Sequence, residues 1–195
     1  WCQTKPAAGQ HTLPPPPTVG VGATTPCALG AEITVVQGTE LRLETTIVEA
    51  ALPSRPAVIS GMGVTRLFHI VGGSLVLAHL ILEVGRSNMG ATIFVENAGA
   101  LRVEGGRMVA IRDSRALVDG ADGFGGGGVA LVSSGTGTNT LTVTGASTTF
   151  LLERNIATAG GALYVLSTGG GGNTVVVEQG ATLTLKNNSA TVGTG

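Results

Sequence analysis

The residues best equipped for chemistry lie in the middle of the chain, where Arg112-Asp113-Ser114-Arg115 is followed by Asp119 and Asp122. Carboxylates beside guanidinium groups are what acid–base cleavage of a sugar polymer needs, one group moving a proton while another steadies charge. Asp119-Gly120-Ala121-Asp122-Gly123 also loosely resembles a calcium loop, yet it lacks the full ligand series and the terminal bidentate Glu. A Gly-rich turn in which Asp bonds locally accounts for the same residues. The glycine-rich stretch from Gly123 to Gly128 is followed by neither Lys-Ser nor Lys-Thr, so it is not a nucleotide loop. His69 and His79 stand ten residues apart in apolar segments and read as core or surface histidines rather than a ligand pair. Ser60, in Ser60-Gly61-Met62-Gly63, has no nucleophile-elbow pattern, and His11 carries no information. No catalytic residue, metal or cofactor is assigned.

What must position these residues is a repeat. Five segments share a short apolar strand, a glycine and a second strand with alternating apolar positions. Their marker glycines are Gly38, Gly73, Gly106, Gly145 and Gly180, spaced 35, 33, 39 and 35 residues apart. A period in the thirties identifies a repeat architecture. Between markers runs a third apolar strand: Ala57 to Gly61, Ala91 to Val95, Val129 to Val132 and Ala162 to Val165. No Asn-Gly hairpin signal joins the strands, which argues against a sandwich, and no i, i+3, i+4, i+7 stripe survives for a helical repeat. The one longer helical candidate, Thr45 to Leu52, stops at Pro53.

The expected fold is therefore all-β: a right-handed parallel β-helix of about five rungs, three short strands per rung. Rungs about 4.8 Å apart give a stack about 24 Å tall. Leu41/Leu43, Leu75/Leu77 and Leu183/Leu185 are expected to point inward and pile on their equivalents, each large apolar side chain contributing about 1.5–3 kcal/mol. Residues 1–30 read as a Pro-rich arm or cap and residues 31–195 as the repeat domain, part of a longer stack because Gly195 falls inside a rung. The start at Trp1 reads as a mature form or an excised fragment.

Composition limits the functions available. Glycine contributes 32 residues, charged residues 12% and aromatics 3%, while the formal charge is −1 and only two lysines occur. That leaves no basic footprint for nucleic acid. The apolar stretch Leu67 to Leu82 is interrupted by His69, Gly72, Gly73, Ser74 and His79 and is too short to cross a membrane as a helix, so no transmembrane segment is expected. It reads as two buried strands meeting at Gly72-Gly73. Cys2 and Cys27 are the only cysteines, with no metal-site spacing, and a disulfide between them implies an oxidising, extracellular or cell-surface compartment.

Certain short motifs carry a family resemblance. Gly160-Gly161-Ala162-Leu163 has the form GGA[ILV], and Leu152-Glu153-Arg154-Asn155 and Leu185-Lys186-Asn187-Asn188 have the form FxxN with Leu for Phe. Gly127-Gly128-Val129-Ala130 and Met89-Gly90-Ala91-Thr92 are degraded copies of the first, and Ile111-Arg112-Asp113-Ser114 lacks the Asn. The chain thus resembles the repeats of chlamydial-type polymorphic outer membrane proteins, well over residues 100–195 and loosely over 33–100. The resemblance implies a β-helical surface passenger with an adhesive role. Independently of it, glycine pairs permit sharp turns, and Asn155 and Asn188, 33 residues apart, can form a ladder from rung to rung. Asn187-Asn188-Ser189 is a formal glycosylation sequon.

The function expected is non-enzymatic: adhesion or scaffolding through an elongated face, with a protein or glycan surface ligand or further copies of the repeat as partner. The segments Arg42 to Arg55 and Arg115 to Gly128, which have most inserted length, are the expected contact loops. Two alternatives come from other classes. One is a lyase or epimerase of the pectate-lyase-like fold; the other is an ice-binding protein, for which only Thr142/Thr144 and Thr182/Thr184 approach a Thr-x-Thr face.

Overall fold

The structure, a computed structural model, describes residues 26–45, 55–116 and 125–191. The chain enters through β1 (Cys27–Ala28) and winds a first turn from β2 (Ile33–Val36), β3 (Glu40–Glu44) and β4 (Ala57–Ser60). The second turn is β5 (Phe68–Val71), β6 (Ser74–Ala78), β7 (Leu80–Glu83) and β8 (Arg86–Ser87). The third is β9 (Ile93–Glu96), β10 (Ala100–Val103), β11 (Met108–Arg112) and β12 (Arg115–Ala116). The fourth is β13 (Val129–Ser133), β14 (Asn139–Val143), β15 (Thr149–Glu153) and β16 (Ile156–Ala157). The fifth is β17 (Leu163–Ser167), β18 (Asn173–Val177), β19 (Thr182–Lys186) and β20 (Ser189–Ala190).

Equivalent strands stack into four sheets, none closed on itself. Face one is β2-β5-β9-β13-β17, face two β3-β6-β10-β14-β18, face three β1-β4-β7-β11-β15-β19, and face four β8-β12-β16-β20. All pairings between strands are parallel, the signature of a parallel β-helix. No helix occurs among the described residues. The expected fold class holds, with an added fourth strand of two residues per turn from the second turn onward. Its inward positions are small: Ser87, Ala116, Ala157 and Ala190 stand in register, so this face adds little to the core.

Alternation along each strand builds the core as vertical columns. On face two Leu41, Leu75, Leu101, Leu141 and Val175 lie one above another, with Leu43, Leu77, Val103, Val143 and Val177 beside them. Face three contributes Ile59, Leu82, Ile111, Leu152 and Leu185, and face one Val35, Ile70, Val95, Leu131 and Val165. In the middle turns these side chains are fully buried, as are Phe68 and Phe150, the largest side chains of the core. Burial fades at one end: Val165, Val177 and Leu185 of the fifth turn are 46%, 44% and 55% exposed, whereas Val35 and Leu43 of the first turn are 3% and 4%.

Three expectations shift in detail. The five marker glycines do not form one column. Gly38 and Gly73 lie between faces one and two, while Gly106, Gly145 and Gly180 lie between faces two and three. Leu183/Leu185 accordingly stack on Phe150/Leu152 of face three, not on Leu75/Leu77. The physical reason is that both kinds of corner join two short apolar strands through glycine, with positive φ at Gly38 and Gly72 on one and at Gly106, Gly145 and Gly180 on the other, so the local pattern is the same. The arm boundary also moves: β1 pairs with β4, and Leu29 is part of the core, so the stack begins before residue 30. Finally, the segment 67–82 holds three strands, β5, β6 and β7, because His79 adopts φ 51 and turns the chain a second time.

Candidate functional site

The corner between faces three and four gathers charged side chains from four successive turns. Parallel register sets Glu83, Arg112, Glu153 and Lys186 in one outward row of alternating sign, with the buried Ser60 next to Glu83 at its end. Arg112 donates through Nε and Nη2 to Glu83 Oε2 at 2.9 and 2.8 Å. One residue further on, Val84, Asp113, Arg154 and Asn187 share a left-handed conformation, φ 52, 55, 52 and 52. That repeated kink makes the corner. Here Arg154 grips Asp113 with two hydrogen bonds of 2.8 and 2.9 Å and also reaches Glu153 at 3.0 Å. The Arg154 hydrogen bond holds the Asp113 carboxyl below its ordinary range, so near neutrality it has no proton to give.

The next residue turns inward and becomes a capping column: Gly85, Ser114, Asn155 and Asn188. Asn155 Nδ2 donates to Ile111 O at 3.1 Å and to Asn188 Oδ1 at 3.1 Å, while Asn155 Oδ1 accepts from Ser114 N at 3.1 Å. Asn188 Oδ1 also accepts from Asn155 N at 3.0 Å, and its Nδ2 donates to Leu152 O at 2.8 Å. In the third turn Ser114 fills the place where the motif lacks Asn: its Oγ accepts from Gly85 N at 3.1 Å and bonds Thr92 Oγ1 at 2.7 Å. A side-chain oxygen receiving an amide from the neighbouring turn is what this position requires, and Ser and Asn both supply one.

Gly160 and Gly161 sit where the chain passes from face four to face one, for two different reasons. Gly160 has φ +59, whereas a Cβ on Gly161 would come within 2.3 Å of Ser189 O. Register aligns this pair with Gly126-Gly127 and Gly90-Ala91, one residue earlier than the motif reading placed the Gly127 copy.

Beyond the capping column the chain faces outward again, at Arg86, Arg115, Ile156 and Ser189. Arg86 and Arg115 line a surface depression of about 400 Å³ together with Gly63, Val84, Gly85 and Asp113. Asp119 and Asp122 lie outside the described residues, as do Cys2, His11, the candidate turn 46–52 and the middle of both expected contact loops. No group of three or more His, Cys, Asp or Glu residues poised for a metal occurs among the described residues.

Two arrangements were not anticipated. On face one, Arg66 donates to Glu32 at 2.9 Å, to Met89 O and Ser87 Oγ at 2.8 Å, and lies 4.9 Å from the Phe94 ring centroid. His69 completes the cluster, its Nε2 2.9 Å from Glu96 Oε1 and its ring centroid 5.1 Å from that of Phe94. At the corner between faces one and two, a second amide ladder joins Asn139 Nδ2 to Asn173 Oδ1 at 2.8 Å, and Asn139 Oδ1 accepts from Gly99 N at 3.1 Å. A 34-residue spacing was the available signal. His79 lies apart from His69, at the junction of β6 and β7, buried and with no hydrogen-bond partner for Nδ1 among the described residues.

No family model, curated protein or solved structure matches the chain. The geometry must speak for itself. Two polar clusters are tied up across turns, Thr142/Thr144 and Thr182/Thr184 belong to different faces, and Asn187 is exposed at its corner.

Proposed function

We propose that the chain is a non-enzymatic β-helical surface protein that presents an elongated face to a protein or glycan ligand, in an adhesive or scaffolding role. One observation carries this reading: the carboxylates that stand beside cations on adjoining turns are spent on them. Glu83 with Arg112, Asp113 with Arg154, Glu32 with Arg66 and Glu96 with His69 each bridge two turns, and Arg42 reaches over Val76 to Glu104 at 2.6 Å, two turns away. A general acid needs a raised pKa and access to substrate, and Asp113 has the opposite shift. Cross-turn ion pairs instead hold register and leave outer faces well defined.

Kinship with polymorphic outer membrane protein passengers, an extracellular location and a Cys2–Cys27 disulfide belong to the same proposal. The glycine corner at 160–161 and the Asn155–Asn188 ladder support the first, and the lack of a free cysteine among the described residues supports the last. No helix among the described residues is long and apolar enough to cross a membrane. The test is incubation with uronic-acid polymers, with and without calcium, followed by chromatography of the products. Intact polymer is expected; chain shortening or unsaturated ends would overturn the reading in favour of a lyase.

A further inference from the structure

Parallel stacking places every side chain directly beneath its equivalent, so like charges in register repel at about 4.8 Å. The described strands avoid this with one exception. Glu83 faces Arg112, Arg112 faces Glu153 and Glu153 faces Lys186, whereas Arg86 is set against Arg115. Both arginines are exposed, and neither guanidinium has an ion-pair or hydrogen-bond partner among the described residues. Their stacking costs stability and returns none within the fold.

Together they line the 400 Å³ depression with Gly63, Val84, Gly85 and Asp113. Gly85 cannot be larger: a Cβ there would lie 2.3 Å from Ala91 O. Gly63, Val84 and Gly85 leave their part of the lining largely apolar. Asp113 is the one carboxylate in the lining, and its charge is already taken by Arg154 through two hydrogen bonds. Two guanidinium forks beside a largely apolar lining match a planar or tetrahedral oxyanion joined to a ring.

We infer that Arg86 and Arg115 form an anion-binding notch for an acidic sugar, gripping a carboxylate or sulfate group while the ring lies across Gly63, Val84 and Gly85. This deepens the proposed surface role and rests on it, since it names a ligand class for one outer edge. The volume is at the lower end of ligand pockets, which suits one charged sugar of a longer polymer rather than a fully enclosed molecule.

Calorimetric titration of the intact chain with polygalacturonate, dextran sulfate, neutral dextran and poly-glutamate tests the inference. One or both acidic polysaccharides should bind, identifying carboxylate or sulfate as the preferred group, with neutral dextran silent. The double variant R86Q/R115Q should lose binding at least tenfold while its melting temperature holds or rises, because the repulsion is removed. R102Q, at an exposed arginine on face two, should bind as the parent does. No binding to either polysaccharide, binding indifferent to R86Q/R115Q, a double variant that fails to fold, or equally tight binding of poly-glutamate would each overturn the notch. None of these outcomes touches the non-enzymatic reading, which only polymer cleavage would sink.

Discussion

Replacing Asn155 by alanine probes how much of the stack depends on its capping column. Asn155 is fully buried, and its side chain makes three hydrogen bonds, to Ser114 N, Ile111 O and Asn188 Oδ1, each 3.1 Å long. Ser114 is itself buried, so its amide would lose its acceptor with no water at hand, at a cost of about 1–3 kcal/mol. The two bonds lost from Nδ2 add about 0.5–1.5 kcal/mol each. The sum, about 2–6 kcal/mol, is a large part of the roughly 5–15 kcal/mol that holds a domain together. Urea denaturation of N155A should show a lower midpoint with an unchanged slope, their product giving a loss of that size.

The companion variant N155D keeps the shape but turns a donor into an acceptor facing Ile111 O and Asn188 Oδ1. Its carboxyl should be pushed up from the ordinary range by burial and by those oxygens. The folded state then binds the proton more tightly than the unfolded chain, so the N155D deficit should shrink as pH falls through the raised folded value. An unfolding free energy for N155A within about 0.5 kcal/mol of the parent, a typical surface effect, would refute the assignment of Asn155 as a structural cap.

Further expectations concern the columns and the histidine. Leu152→Ala should cost about 2–5 kcal/mol, as for other buried leucines, whereas Leu185→Ala, one turn away in the same column but 55% exposed, should cost under about 1 kcal/mol. Equal losses in urea unfolding would contradict the stacking order. Burial first, and then the charge of Arg107, lower the His79 pKa below 6.5, so the stability that depends on neutral His79 is complete above 6.5 and is lost as pH falls towards the folded value. The melting temperature should therefore decline on mild acidification, and less so in H79N, which keeps a side chain tolerant of φ 51 but does not titrate. Asp113 contributes a separate loss in stronger acid, below about 3.8, because Arg154 lowers its pKa.

The winding of the chain was legible because alternation such as Leu41-Arg42-Leu43 and Leu101-Arg102-Val103 writes an inward face directly into the strand. Face four was not, since strands of two residues with Ala or Ser inside leave no apolar signal. The marker glycines misled for a related reason: two corners of each turn use the same chemistry, and only pairing partners tell Gly73 from Gly106. Asn155 and Asn188 stood out by type and spacing, while Asn139 and Asn173 head their strands without a flanking motif. Ser114 looked like a missing Asn but performs its hydrogen-bonding role. The charge row Glu83, Arg112, Glu153 and Lys186 is invisible along the chain, with spacings of 29, 41 and 33 residues. It emerges only when unequal loops are wound into register.

Unequal spacings on an equal pitch also bear on how such a chain can change length. Ile156 occupies the place above which Ser189 sits one coil later, so the stretch between them is one coil whose two junctions are geometrically interchangeable. Copying or excising one such module leaves the entry and exit points of the coil aligned and alters only its height. The architecture thereby separates growth from invention, since new outer surface can arise by tandem duplication without a new interior being devised.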